Sequence, residues 1–196
     1  MDEMDWLVFD LGGVLFDFDG AAGMAELTGM PHDEAHETLL NSPALHALET
    51  GEIGPEIFGR QFAEELGVSI SSPKMLELWA SWEAGPKPDA IELLASLRDQ
   101  HSIACLTNNN AIHWERLSTH YGICELFQRC YLSHEIGLMK PDPRIFGHVI
   151  EDLDMQAAAI TYFDDRQDII DAALTCGLNA YQVSGPGEIR TVLGLN

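Results

Sequence analysis

The chain is poor in positive charge. Ten Lys and Arg stand against 32 Asp and Glu in 196 residues, a net charge of −22. Three of the ten bases are lysines: Lys74, Lys87 and Lys140. Nucleic acids and anionic membranes are bound through basic surface, so neither is an expected partner. Cysteine is sparse as well. Cys105, Cys124, Cys130 and Cys176 show no C-x-x-C spacing, which argues against a zinc knuckle or a disulfide framework and fits reduced thiols in a cytosol. No apolar run approaches the ~20 residues of a membrane span. Met1-Asp2-Glu3-Met4-Asp5 lacks the basic start of a signal peptide, so a cytoplasmic protein is expected. There is no G-x-S-x-G elbow, and His32-Asp33-Glu34-Ala35-His36 misses the H-E-x-x-H zinc signature at its second position. That pair of histidines reads as a solvated helix face. Disorder is excluded by a 46% hydrophobic content.

The pattern along the chain divides it in two. Trp6-Leu7-Val8-Phe9 is a short apolar run ending in Asp10-Leu11-Gly12-Gly13, a buried strand followed by a sharp turn. From Phe18 to Ala84 the signals are helical, over residues 20–27, 32–40, 44–48, 56–66 and 74–82. Pro31, Pro43, Pro55 and Pro73 sit at the starts, where proline is best tolerated. No strand is predicted there. After Gly85-Pro86-Lys87-Pro88, helical segments (89–100, 112–121, 143–153, 168–175) alternate with strands (102–106, 129–132, 159–163, 179–183), and a last helix covers 187–193. Such alternation implies right-handed βαβ units and a parallel sheet. The expected fold is therefore α/β, a Rossmann-like parallel sheet core with an inserted all-helical cap. Residues 1–17 and 85–196 form the core and 18–84 the cap. Residues 17–85 carry 13 acids and 2 bases, a net −11 matching that of the remaining 127 residues. The inserted block is thus the more acidic per residue, as suits a module lying outside a core.

In a doubly wound sheet, ligands bind beyond the carboxyl ends of the strands. Those ends carry Asp10, then Thr107-Asn108-Asn109, then Lys140-Pro141 across a loop, then Asp164-Asp165. Clustered carboxylates repel one another unless a cation joins them, and an all-oxygen ligand set suits a hard ion such as Mg²⁺. A hydroxyl and a Lys beside that ion make a phosphate cradle, and a carboxylate can attack phosphorus. The cluster points to metal-assisted phosphoryl transfer.

These residues also carry a resemblance. Phe9-Asp10-Leu11-Gly12-Gly13-Val14-Leu15, Leu106-Thr107-Asn108, Gly137-Leu138-Met139-Lys140-Pro141-Asp142-Pro143-Arg144-Ile145-Phe146 and Phe163-Asp164-Asp165-Arg166-Gln167-Asp168 resemble, in order, the four motifs of the haloacid dehalogenase-like superfamily. The third is the most specific. Intervals of 97, 33 and 25 residues separate Asp10, Thr107, Lys140 and Asp165. They suit a helical cap inserted after the first strand, and the resemblance is to the helical-cap, sugar-phosphatase-like branch. The resemblance implies that Asp10 is the nucleophile and a Mg²⁺ ligand. It makes the carbonyl of Gly12 a second ligand, with Asp165, helped by Asp164, completing the metal site. Thr107 and the amide of Asn108 would hold the phosphate, Lys140 would bridge nucleophile and phosphate, and Asp168 would orient the last loop. The implied function is a Mg²⁺-dependent phosphatase acting on a small phosphorylated metabolite, with sugar phosphates the first choice.

One position departs from the family pattern. Where its phosphatases carry a second Asp two residues after the nucleophile, this chain has Gly12. Glycine cannot shuttle a proton, so the acid/base role is unassigned, and Asp17 and His113 are the nearest sequence candidates. Gly12 keeps open a second reading, a catalytically weak phosphate-ligand binder or regulatory protein. A third, 2-haloacid dehalogenase, needs no metal and is disfavoured by Asp164-Asp165. No sequence feature specifies an oligomeric state.

Overall fold

The computed structural model describes residues 6–195. In chain order the elements are β1 (Trp6–Phe9), β2 (Phe16–Phe18), α1 (Gly20–Thr28), α2 (His32–Leu40), α3 (Pro43–Glu49), α4 (Pro55–Glu65), α5 (Ser72–Ser81) and β3 (Glu83–Pro86). There follow α6 (Ala90–Arg98), β4 (Ser102–Thr107), α7 (Ala111–Tyr121), α8 (Ile123–Leu126), β5 (Arg129–Leu132), α9 (Ser133–Ile136) and α10 (Pro143–Leu153). After a 3₁₀ turn at Ala157–Ala159 come β6 (Ile160–Asp164), α11 (Gln167–Thr175), β7 (Asn179–Gln182) and α12 (Pro186–Val192). Among the described residues, no helix is long and apolar enough to cross a membrane.

β1, β4, β5, β6 and β7 form one parallel sheet in the order β5-β4-β1-β6-β7. Alternation along each strand feeds two separate hydrophobic layers. Leu7, Phe9, Ile103, Cys105 and Phe163 join the layer built with α6, α8 and α12. Val8, Ala104, Leu106 and Tyr162 join the layer built with α10 and α11. Helices thus cover both faces, as buried parallel strands require. Helices α10 and α7 are capped by local side chains. Asp142 accepts a hydrogen bond from the N–H of Arg144 (2.9 Å) ahead of Pro143 at the start of α10. Asn110 accepts one from His113 N–H (3.2 Å) at the start of α7, and left-handed Gly122 ends that helix. β1 is central, and the chain leaves it first for β4 on one side and later for β6 on the other. The carboxyl end of β1, where Asp10 follows, is therefore the crevice where strand order reverses.

Helices α1–α5 close over a third hydrophobic cluster, with Met24, Leu48, Phe58, Phe62, Trp79 and Trp82 among its members. Trp79 meets Phe58, Phe62 and Trp82 edge to face, at centroid distances of 5.3–5.6 Å. The expectation of no strand in this region needs a correction at its two ends. β2 and β3 pair antiparallel, Phe16 opposite Pro86 and Asp17 opposite Gly85, and Asp19 N–H extends the ribbon to the Trp82 carbonyl. Strands of three and four residues carry too little periodicity to be read, and Gly85-Pro86 reads locally as a turn. Pairing across more than sixty residues of chain is what makes them strands.

Candidate active site

Asp10, Thr107, Lys140, Asp164 and Asp165, drawn from four separated motifs, meet at the carboxyl edge of the sheet. Asp10 lies just past β1, and its N–H is held by the Phe163 carbonyl (2.8 Å). Thr107 is the last residue of β4, buried. Lys140 arrives on the loop between α9 and α10 and is fully enclosed. Its Nζ lies 2.8 Å from Asp10 Oδ1 and 2.8 Å from Asp164 Oδ2, and it donates to the Tyr162 hydroxyl at 2.9 Å. Tyr162 and Asp164 are two apart on β6 and so share a face; the Tyr162 O–H donates to Asp164 Oδ2 at 2.5 Å. The other oxygen of Asp164 accepts the N–H of Arg166 (2.9 Å). Asp164 is thereby tied to Lys140, Tyr162 and its own loop, and Asp165 beside it is half-buried.

Asn108 anchors Lys140 from the other side. Its side-chain amide donates to the Lys140 carbonyl (2.9 Å) and accepts the Lys140 N–H (2.8 Å). With that amide committed, the backbone N–H of Asn108 is what it can offer an anion. Gly12 and Gly13 shape the turn after Asp10. Gly13 has φ +76°, and a Cβ there would sit 2.2 Å from Asp165 Oδ2, so glycine is what lets this turn approach the carboxylate. A Cβ on Gly12 would meet nothing within 4 Å. Asp168 pairs with Arg166 (2.7 Å) at the start of α11, within the loop it was expected to orient.

The electrostatics follow from burial. Burial raises the Asp10 carboxyl to about 6; contact with Lys140 opposes the rise and Asp164 adds to it. Burial alone would lower Lys140, but the contacting carboxylates of Asp10 and Asp164 outweigh it and hold the ammonium above its usual range. Burial, then the charge of Asp164, raises Asp165. Asp10, Asp164 and Asp165 each offer a carboxylate oxygen, all within 4.8 Å of one another. One ammonium cannot neutralise three carboxylates, and the donors are all oxygen. The residues fit a hard divalent cation such as Mg²⁺.

Residues 4–177 match the haloacid dehalogenase-like hydrolase family. The chain belongs to that family. Among its relatives, a D-ribitol-5-phosphate phosphatase of Bacteroides thetaiotaomicron is 23% identical over 95% of both chains. A phosphatase of Mycobacterium tuberculosis is 29% identical over 94% of this chain and 89% of its own. A sesquiterpene phosphatase of Aspergillus oryzae is 26% identical, covering 87% and 85%. In fold, the chain superposes on a haloacid dehalogenase-like enzyme of B. thetaiotaomicron solved with magnesium and inorganic phosphate (TM-score 0.80, 24% identity, 94% and 96% covered). It also superposes on the L-2-haloacid dehalogenase of Xanthobacter autotrophicus (TM-score 0.71, 18% identity, 92% and 78% covered). The haloacid dehalogenase-like fold thus houses more than one chemistry, and the residues of the site must separate them.

Two cavities flank this haloacid dehalogenase-like site. A larger one, about 760 Å³, is walled by α1–α3 on one side and by Lys140, Asp142 and Arg166 on the other. A smaller one, about 110 Å³, lies among Gly12, Thr107, Asn108, Trp79 and His113. Asp17 and His113 both line the smaller cavity, and each is engaged with another group. His113 is buried, its Nε2 is 2.8 Å from the Trp79 carbonyl and its Nδ1 3.4 Å from the Asn110 amide, and its ring stacks on Trp79 at 4.9 Å. Burial holds it down to about pH 4. The exposed carboxylate of Asp17 pairs with Lys87 (3.3 Å), which also donates to the Ser184 carbonyl.

Two site residues escape a reading of the sequence. Tyr162 was signalled only by its i, i+2 relation to Asp164 on a strand. Glu49, the last residue of α3, lines both cavities. Burial raises its carboxyl to about 7; Asp10 adds to this, while Lys140 and Arg166 oppose it. Nothing local marks Glu49 among the 13 acids of residues 17–85.

Proposed function

We propose that the protein is a Mg²⁺-dependent phosphatase of small phosphomonoesters, working through an aspartyl-phosphate on Asp10. The observation that carries this is the meeting of Asp10, Thr107, Lys140, Asp164 and Asp165 at one sheet edge, with the Lys140 ammonium 2.8 Å from two carboxylates. Asp10, the Gly12 carbonyl and Asp165, with Asp164 behind them, would hold the ion, which supplies charge neutralisation to the phosphoryl oxygens. Lys140 holds Asp10 in place and, with the Thr107 hydroxyl and the Asn108 backbone N–H, draws charge from the phosphoryl group. Asp10 attacks phosphorus, the bond to the ester oxygen breaks, and the alcohol leaves with a proton. Water then attacks phosphorus, returning Asp10 and releasing inorganic phosphate.

Residues 18–84 act as a cap that selects the substrate, and the remainder of the chain performs the chemistry. The larger cavity falls in the usual size range of a small-molecule site, and its wall mixes leucines with His36, His46 and Arg144. Relatives acting on phosphorylated metabolites support a small organic phosphate, and sugar or polyol phosphates head the panel. A dehalogenase has no use for three converging carboxylates. The deciding experiment measures phosphate release from a panel of phosphorylated metabolites with Mg²⁺, without it, and after EDTA. Mg²⁺-dependent turnover is expected. Phosphate binding without release from any member would favour the regulatory reading, and release unaffected by EDTA would remove the metal.

A further inference from the structure

Gly12 leaves the leaving group without its acid. Resting on the phosphatase reading above, we propose that Glu49, supplied by the helical block, protonates the departing alcohol and then accepts a proton from the hydrolytic water.

The argument is one of place. A side chain at position 12 would enter open space, since a Cβ there meets no atom within 4 Å. What lies beyond is the smaller cavity, and Glu49 is part of its wall together with Gly12 and Thr107. Glu49 also lines the larger cavity, alongside Lys140 and Arg166. A phosphomonoester bound with its phosphoryl group at Asp10 and Thr107 and its organic part in the larger cavity must put its ester bond where the two meet. Three residues line both cavities: Phe18, Asn108 and Glu49. Phe18 carries no proton, and the Asn108 amide is committed to the Lys140 main chain. Glu49 is the titratable group at the junction.

Its carboxyl is free for the task. Among the described residues no hydrogen bond holds it; it feels Asp10, Lys140 and Arg166 only through their charges. Its position is set from behind. Gly51, two residues on, has φ +72°, and a Cβ there would fall 2.2 Å from the His134 carbonyl. This approach seats the end of α3 against α9, next to the loop that delivers Lys140. The proton balance closes. Glu49 gives its proton to the ester oxygen as that bond to phosphorus breaks, leaving a carboxylate. That carboxylate takes a proton from the water that forms the new bond to phosphorus.

The test is leaving-group dependence, which a purely structural residue would not move. Wild type and Glu49→Gln are compared on phenyl phosphates from p-nitrophenyl phosphate to unsubstituted phenyl phosphate, and on the best alkyl phosphate of the panel. Loss of a general acid typically costs ~10²–10⁴-fold. That loss is expected in kcat/KM, which reports the steps through departure of the alcohol, on phenyl and alkyl phosphate, with less than ~10-fold in kcat/KM on p-nitrophenyl phosphate, whose phenolate leaves unaided. Glu49→Asp should keep the shallow slope at reduced rate, and Gly12→Asp in the Glu49→Gln background should flatten it again. Thermal melts with and without Mg²⁺ report whether each variant is folded. A Glu49→Gln loss in kcat/KM equal across the series, or no loss, overturns the assignment. A wild type inert toward the whole series overturns the phosphatase reading and the assignment with it.

Discussion

Asp10 is held 2.8 Å from the Lys140 ammonium, and burial pushes its carboxyl up to about 6. Asp10→Asn keeps the size and would remove the proposed nucleophile. Turnover should fall at least ~10³-fold while the melting temperature stays near wild type, as measured by phosphate release and calorimetry. His113 makes a different kind of contribution. Neutral in the fold, it ties α7 to the end of α5 through the Trp79 carbonyl. Its folded value, about 4, lies below the ordinary 6.5, so the unfolded chain binds the proton first. The stability it provides is complete above pH 6.5 and is lost as pH falls toward 4, in total roughly 3 kcal/mol. His113→Gln should show a shallower loss of unfolding free energy between those pH values than wild type. Equal slopes in denaturant titrations would show that the ring is not buried neutral.

Two tight approaches place elements that the proposed chemistry uses. The turn after β1 can reach Asp165 because Gly13 has no Cβ. Gly13→Ala should push the turn away from the carboxylate and weaken Mg²⁺, read as a rightward shift of the Mg²⁺ dependence of the melting temperature. Gly51 does the same between α3 and α9, against a carbonyl that cannot move aside without its helix. Gly51→Ala should cost ~1–3 kcal/mol through strain at positive φ and lower kcat. It should leave Mg²⁺ binding unchanged, because Gly51 is not among the residues that would hold the ion. A Gly51→Ala enzyme with wild-type kcat would mean that the seating of α3 is irrelevant to turnover. The β2–β3 ribbon is the third such device: two short strands stabilise each other where the chain enters and leaves the helical block.

At a net charge of −22 the whole molecule repels itself. Acids outnumber bases in the helical block and in the rest of the chain alike, so compaction brings like charges together. Raising salt from a few millimolar to ~0.15 M, where the screening length falls to ~8 Å, should raise the melting temperature. Mg²⁺ at low millimolar concentration should raise it further than a matched ionic strength of Na⁺, because it would also enter the Asp10, Asp164 and Asp165 cluster. Equal effects of the two cations would leave only screening.

The parallel sheet, the order of its helices and the gathering of Asp10, Thr107, Lys140 and Asp164-Asp165 at one edge were legible from the chain alone. Strand alternation, proline starts and turn glycines act over a few residues, and the doubly wound topology then leaves one place for all strand ends. The rest was not legible, because it depends on contacts between residues far apart in the chain. Glu49 is one acid among many until the packing of α3 against α9 carries it across to Gly12. His113 looks like a proton carrier until the Trp79 carbonyl occupies its Nε2. Nothing in the sequence shows that Asp164 also bonds Lys140 and Tyr162 through one oxygen and the Arg166 N–H through the other. Local periodicity specifies what an element is and which way it faces. Which side chain ends beside which, and so which group is free to act, is settled when the helical block closes over the sheet and the buried polar atoms find their partners.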